Sequence, residues 1–185
     1  LCVMVFAVNL GRVVFASLLE PLRTAFGVET AALGLLATLV WVGSALPRLP
    51  PGWLLTKVPR HVVIFGAGSL LTVVTVVAAN APGIRALQVA AFLMGVAGGV
   101  YFIAANPLVS ELFPERVGRA IGIHGMASQS AAAGSGVFVT GVLVLADWTA
   151  AFWAIAAVAA VSTVVFTTMA WRTDLPEAGS GDRKL

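Results

Sequence analysis

From His61 to Asn80, from Ala86 to Ser110, from Ala120 to Leu145 and from Trp148 to Trp171 the chain carries no Asp, Glu, Lys or Arg. About 20 apolar residues suffice for a helix to cross the hydrocarbon of a bilayer, so each run predicts a transmembrane span. Two further apolar runs near the N-terminus bring the expectation to six. Composition agrees. Charged residues are 10% of the chain and hydrophobic residues 59%, with a mean hydropathy of +1.00. A soluble domain carries roughly a quarter charged residues, and this chain has too little polar surface to cover a water-facing globule.

The spans are placed at 1–21, 30–55, 61–80, 84–110, 120–145 and 148–171, with 172–185 as a flexible cytoplasmic linker or tail. Helices are required, because in hydrocarbon each segment must satisfy its own backbone groups. The alternating pattern of a transmembrane barrel is absent. The predicted class is all-α: a polytopic membrane protein of six transmembrane helices. The start at Leu1, inside an apolar run, predicts a truncated N-terminus without a cleavable signal peptide.

Cys2 is the one cysteine, which excludes an internal disulfide and a Cys-based metal site; no metal or cofactor is expected. The pI of about 9.8 would suit a nucleic-acid partner, but the basic residues sit at span ends, so none is expected. Arg48, Lys57, Arg60, Arg116, Arg119, Arg172, Arg183 and Lys184 share one side, and Arg23 and Arg85 the other. The positive-inside rule then predicts a multi-pass cell-membrane protein with both termini in the cytoplasm.

Gly11, Val13, Phe15, Pro21, Leu22 and Phe26 recur as Gly98, Val100, Phe102, Pro107, Leu108 and Phe113 with a one-residue slip. Three spans separate the copies, so a true duplication would be two inverted three-helix repeats. The other reading is coincidence in a chain rich in Gly, Val and Phe.

Arg12 is the residue most out of place. An arginine near the middle of a span costs about 2.5–3.5 kcal/mol on insertion scales. At 100° per residue Asn9, Arg12, Ala16 and Glu20 share one stripe. The stripe is read as a substrate or anion contact, against an interhelical salt bridge or a snorkelling arginine. Arg48, beside Pro47, Pro50 and Pro51, is a second substrate candidate or a snorkelling side chain. Ser128, Ala132 and Gly136 are spaced for close helix packing, with Ser128 and Gln129 as substrate hydrogen-bond candidates. Gly95, Gly98 and Gly99 read as packing, and Tyr101 and Asn106 as pore-lining residues. His124 is either a proton-coupling group or an interfacial histidine.

The loops resemble a known family. Gly52-Trp53-Leu54-Leu55-Thr56-Lys57-Val58-Pro59-Arg60-His61 is similar to the signature Gly-x-Leu-x-Asp-Arg-x-Gly-Arg-Arg between helices two and three of the major facilitator superfamily. Thr56 replaces the usual Asp and Pro59 the usual Gly. Phe113 to Gly122 resembles the family's loop between helices four and five, and Asp147 to Trp153 the start of its helix six. The family's helix-four arginine would fall near Ala91 and is missing. The resemblance implies the N-terminal six-helix half of the fold and a gating loop of Gly52, Thr56, Lys57, Arg60, Arg116 and Arg119. It also implies secondary transport of a small solute by alternating access with a second six-helix half, with or without a coupling ion, and no enzyme activity. The run from Arg48 to Gly52 also resembles the helix-two region of nitrate/nitrite porters, but their Gly- and Asn-rich helix-five signature is not reproduced. The implied partners are the bilayer, the second half and a small-molecule, anionic substrate.

Two rival functions stand beside transport. An intramembrane serine hydrolase would need a Gly-x-Ser-Gly nucleophile and a later histidine. Gly134-Ser135-Gly136 lacks that pattern, and His61 and His124 both precede it. His124 lies about 16 Å from Ser135 along one helix, too far to activate it. The third reading is a non-transporting membrane assembly subunit.

Overall fold

The computed structural model describes residues 1–48 and 58–173. Its helices are α1 (Cys2–Ser17), α2 (Leu19–Phe26), α3 (Thr30–Ala45), α4 (Arg60–Ala79), α5 (Ile84–Leu112), α6 (Val117–Leu145) and α7 (Trp148–Ala170). Among the described residues there is no strand. Among the described residues five helices are long and apolar enough to cross a membrane, and the bent pair α1–α2, taken together, is apolar and long enough for a sixth. The fold is an all-α polytopic membrane bundle.

The expected first span, a single helix over 1–21, is corrected here. α1 and α2 meet at a 61° bend. The Leu18 N–H still bonds back to the Val14 and Phe15 carbonyls, but Pro21 in the first turn of α2 has no N–H and crowds the carbonyl four residues before it. Gly27, at φ +60°, ends α2 in the left-handed conformation that glycine adopts without strain. At the far end of the second span, α3 passes into a 3₁₀ turn over Leu46–Arg48, where Pro47 stops the α-helix. The rest of that expected span lies outside the described residues. Asp147 caps α7 by accepting from the Thr149 N–H at 3.0 Å, and its carboxyl is held below the usual carboxylate range by the Thr149 hydroxyl and then by backbone N–H groups.

α3 packs chiefly on α5, α6 on α1, and α4 on both α5 and α7, while α1 crosses α5 and α7. Exchanging the first span with the fourth, the second with the fifth and the third with the sixth maps α1–α6 onto α5–α3. It also maps α4–α5 onto α7–α1. These principal pairings follow the exchange that two inverted three-helix repeats would produce. The repeated glycines meet where α1 crosses α5. A Cβ on Gly11 would lie 3.1 Å from Met94 Cε, and one on Gly98 would lie 2.7 Å from Arg12 Cδ. Each helix thus carries the hole that receives the other's long side chain.

The closest backbone approach is between α3 and α5. A Cβ on Gly95 would collide with the Val40 carbonyl, one on Gly43 with the Phe92 carbonyl, and one on Gly99 would lie 2.6 Å from the Ser44 carbonyl. The expectation that span five packs through Ser128, Ala132 and Gly136 is corrected for Ala132 and Gly136. α6 packs chiefly on α1, and its buried residues are His124, Ser128, Ala131, Ser135 and Val139. A Cβ at Gly125, Gly134 or Gly136 would meet nothing within 4 Å. Composition named both glycine-rich helices, but only tertiary placement selects the one in backbone contact.

Candidate functional site

α1 carries Arg12 about 15 Å along its axis from Cys2, level with the α1–α5 crossing. Gly98 has no side chain, so the arginine stem lies directly on the α5 backbone. The guanidinium carbon then sits 4.6 Å from the Trp41 ring centroid on α3 and 5.6 Å from that of Phe102 on α5. Arg12 is only 7% exposed, and its Nε is buried with no hydrogen-bond partner. The ion pairs among the described residues are Arg23–Glu20 at 2.8 Å and Arg60–Glu111. The interhelical salt bridge entertained for Arg12 does not form there; the side chain packs instead on Gly98 and on two aromatic rings. What holds the cation is two aromatic faces, and cation–π contacts contribute about 0.5–2 kcal/mol each.

Asn9, one turn earlier on α1, is 5% exposed and donates from Nδ2 to the Ser128 carbonyl at 2.7 Å. That bond ties α1 to α6 beside the arginine. The stripe does not continue as expected. Ala16 is exposed, and Glu20 lies beyond the bend on α2, exposed and paired with Arg23. A straight helix would have aligned Glu20 with Arg12, and the 61° break removes that alignment.

Arg48 is exposed in the 3₁₀ turn. Gln129 is exposed on α6, next to the buried Ser128. Asn106 is exposed on α5.

Tyr101 is corrected as a pore-lining residue. It is fully buried; its hydroxyl lies 3.2 Å from the Leu1 carbonyl and 3.1 Å from His124 Nε2. The two rings stack with centroids 6.0 Å apart. Ser135 Oγ, for its part, lies near Ser17 Oγ and donates to the Ala132 carbonyl.

Of the expected gating loop, Gly52, Thr56 and Lys57 lie outside the described residues. Arg60, at the start of α4, pairs through Nη1 with Glu111 near the end of α5. Arg116 and Arg119 are exposed and line a cavity of about 390 Å³ with Val109, Phe113 and His124. That cavity does not include Arg12.

Reasoning from sequence missed Trp41, Phe102 and Glu111. Trp41 left one trace: a tryptophan well inside an apolar run, whereas Trp in spans is enriched at the interfaces. The exposed side of α3 divides into two stripes at helical spacing. Gly34, Thr38, Trp41 and Ala45 form one, and Leu35 and Val42 belong to the other. The first adjoins Arg12; the second suits lipid.

Residues 1–185 match the family model described as Major Facilitator Superfamily. No curated protein matches the chain.

Proposed function

The chain belongs to the major facilitator superfamily, and on that premise we propose that it carries a small anionic solute across the cell membrane by alternating access, together with a second six-helix half. The general role, transmembrane transport, comes with the family. The anion is argued from one observation: Arg12 is buried at mid-span, without a carboxylate partner among the described residues. A guanidinium stays charged in proteins, and an unpaired one in a low-dielectric site is destabilising by several kcal/mol. An incoming anion offsets that cost on binding. A neutral or cationic solute does not.

The second half is supported by the unpartnered faces beside Arg12. Gln129 and Thr140 on α6 are exposed in a helix otherwise suited to hydrocarbon. Lipid offers such groups no hydrogen bonds, whereas protein or a water-filled cavity does. Arg48, Arg60, Arg116, Arg119 and Arg172 gather at one end of the bundle against Arg23 and Arg85 at the other, which supports a cytoplasmic location for both termini.

The test is Arg12→Gln in the full-length transporter, reconstituted in vesicles. Losing a charge-assisted hydrogen bond of about 1.5–3 kcal/mol corresponds to roughly a tenfold to hundredfold loss in affinity. Anion uptake should fall accordingly, while gel filtration and the melting temperature report an intact fold. Unchanged uptake would show that Arg12 only braces α1 against α3 and α5.

A further inference from the structure

We infer that the Arg12 site takes an organic anion, with a carboxylate along the free N–H edge of the guanidinium and a planar or apolar carbon body against the exposed part of the Trp41 indole. The inference rests on the anion-transport reading and adds the class of substrate.

Three observations carry it. First, the contacts made by the Arg12 guanidinium carbon are with the rings of Trp41 and Phe102. Ring faces attract the cation but offer no in-plane acceptor, so the terminal Nη donors, which make no hydrogen bond or ion pair among the described residues, remain for a ligand. A planar carboxylate matches that fork with two parallel hydrogen bonds. Second, Trp41 stays 57% exposed although it touches a residue that is 7% exposed. Its neighbours at helical spacing, Gly34, Thr38 and Ala45, are small, so the indole stands clear on that side. Third, contact with Arg12 puts Trp41 at mid-span, away from the headgroup level where tryptophans act as membrane anchors. A small inorganic oxyanion would be satisfied by the guanidinium and gain nothing from the indole. A carboxylate with a carbon body uses both.

The experiment follows thermal unfolding of the full-length protein in detergent against sodium benzoate, sodium acetate and sodium nitrate. Benzoate should reach half its stabilising effect at a concentration at least about tenfold below acetate or nitrate, the equivalent of one large apolar contact. Trp41→Leu should abolish that preference, Trp41→Phe should retain most of it, and Arg12→Gln should remove the response to every probe. Equal responses to benzoate, acetate and nitrate in the wild type would overturn the inference and leave the anion reading standing. So would a Trp41→Leu protein that still prefers benzoate. If no probe stabilises the wild type, both readings fail together.

Discussion

At the scale of single residues, Arg12 and Arg60 are held in two different ways. Arg12 has aromatic rings for partners. Arg60, with a side chain 18% exposed, has the carboxylate of Glu111, which is 36% exposed. The second pair joins the start of α4 to the end of α5 and closes the arginine-rich end of the bundle. Because both side chains reach solvent, their coupling should be small, about 1 kcal/mol. A double-mutant cycle of Arg60→Gln and Glu111→Gln, read by thermal unfolding, measures it directly. Strictly additive effects would show that the pair contributes nothing to stability. Asn9 joins α1 to the Ser128 carbonyl, and such interhelical bonds average only about 0.6 kcal/mol in a membrane protein. Asn9→Ala should therefore lower stability slightly, while any larger loss of transport would assign Asn9 to the substrate path.

At the scale of helices, glycine means different things on α5 and α6. Gly95 faces the Val40 carbonyl with no room for a methyl group, whereas Gly134 faces open space. Gly95→Ala forces the α3 and α5 backbones apart, and overpacking of this kind destabilises by about 1–3 kcal/mol. Gly134→Ala should leave the melting temperature level or raise it, because alanine is the better helix former by roughly 0.5–1 kcal/mol. Comparing the two in thermal unfolding separates them, and equal effects would contradict the packing described here. The α1–α2 bend belongs to this scale too. Pro21 and Leu18 made a break possible, yet the apolar run alone read as one helix. It therefore placed Glu20 on the face of Arg12, where the bend does not leave it.

For the molecule as a whole, the packing of α3 on α5 and of α6 on α1 leaves exposed faces on α3 and α6. Orientation in the membrane is testable with single cysteines in a Cys2→Ser background. Arg119→Cys should react with a membrane-impermeant thiol reagent from the cytoplasmic side only, and Asp147→Cys from the outer side only. Labelling of both from one side would overturn the proposed topology. The class of the protein was written in the sequence itself. Long uncharged runs such as 61–80 and 148–171 admit only membrane helices, because hydrocarbon cannot satisfy an open backbone. Arg12 was legible for the same reason, since a charge among apolar neighbours violates the local pattern. Its surroundings were not legible. Trp41 and Phe102 lie on two other helices, and which aromatic reaches the guanidinium depends on how α1, α3 and α5 cross at Gly98, Gly95 and Gly43. Periodicity assigns a residue to a face of its own helix, but only packing decides what that face meets.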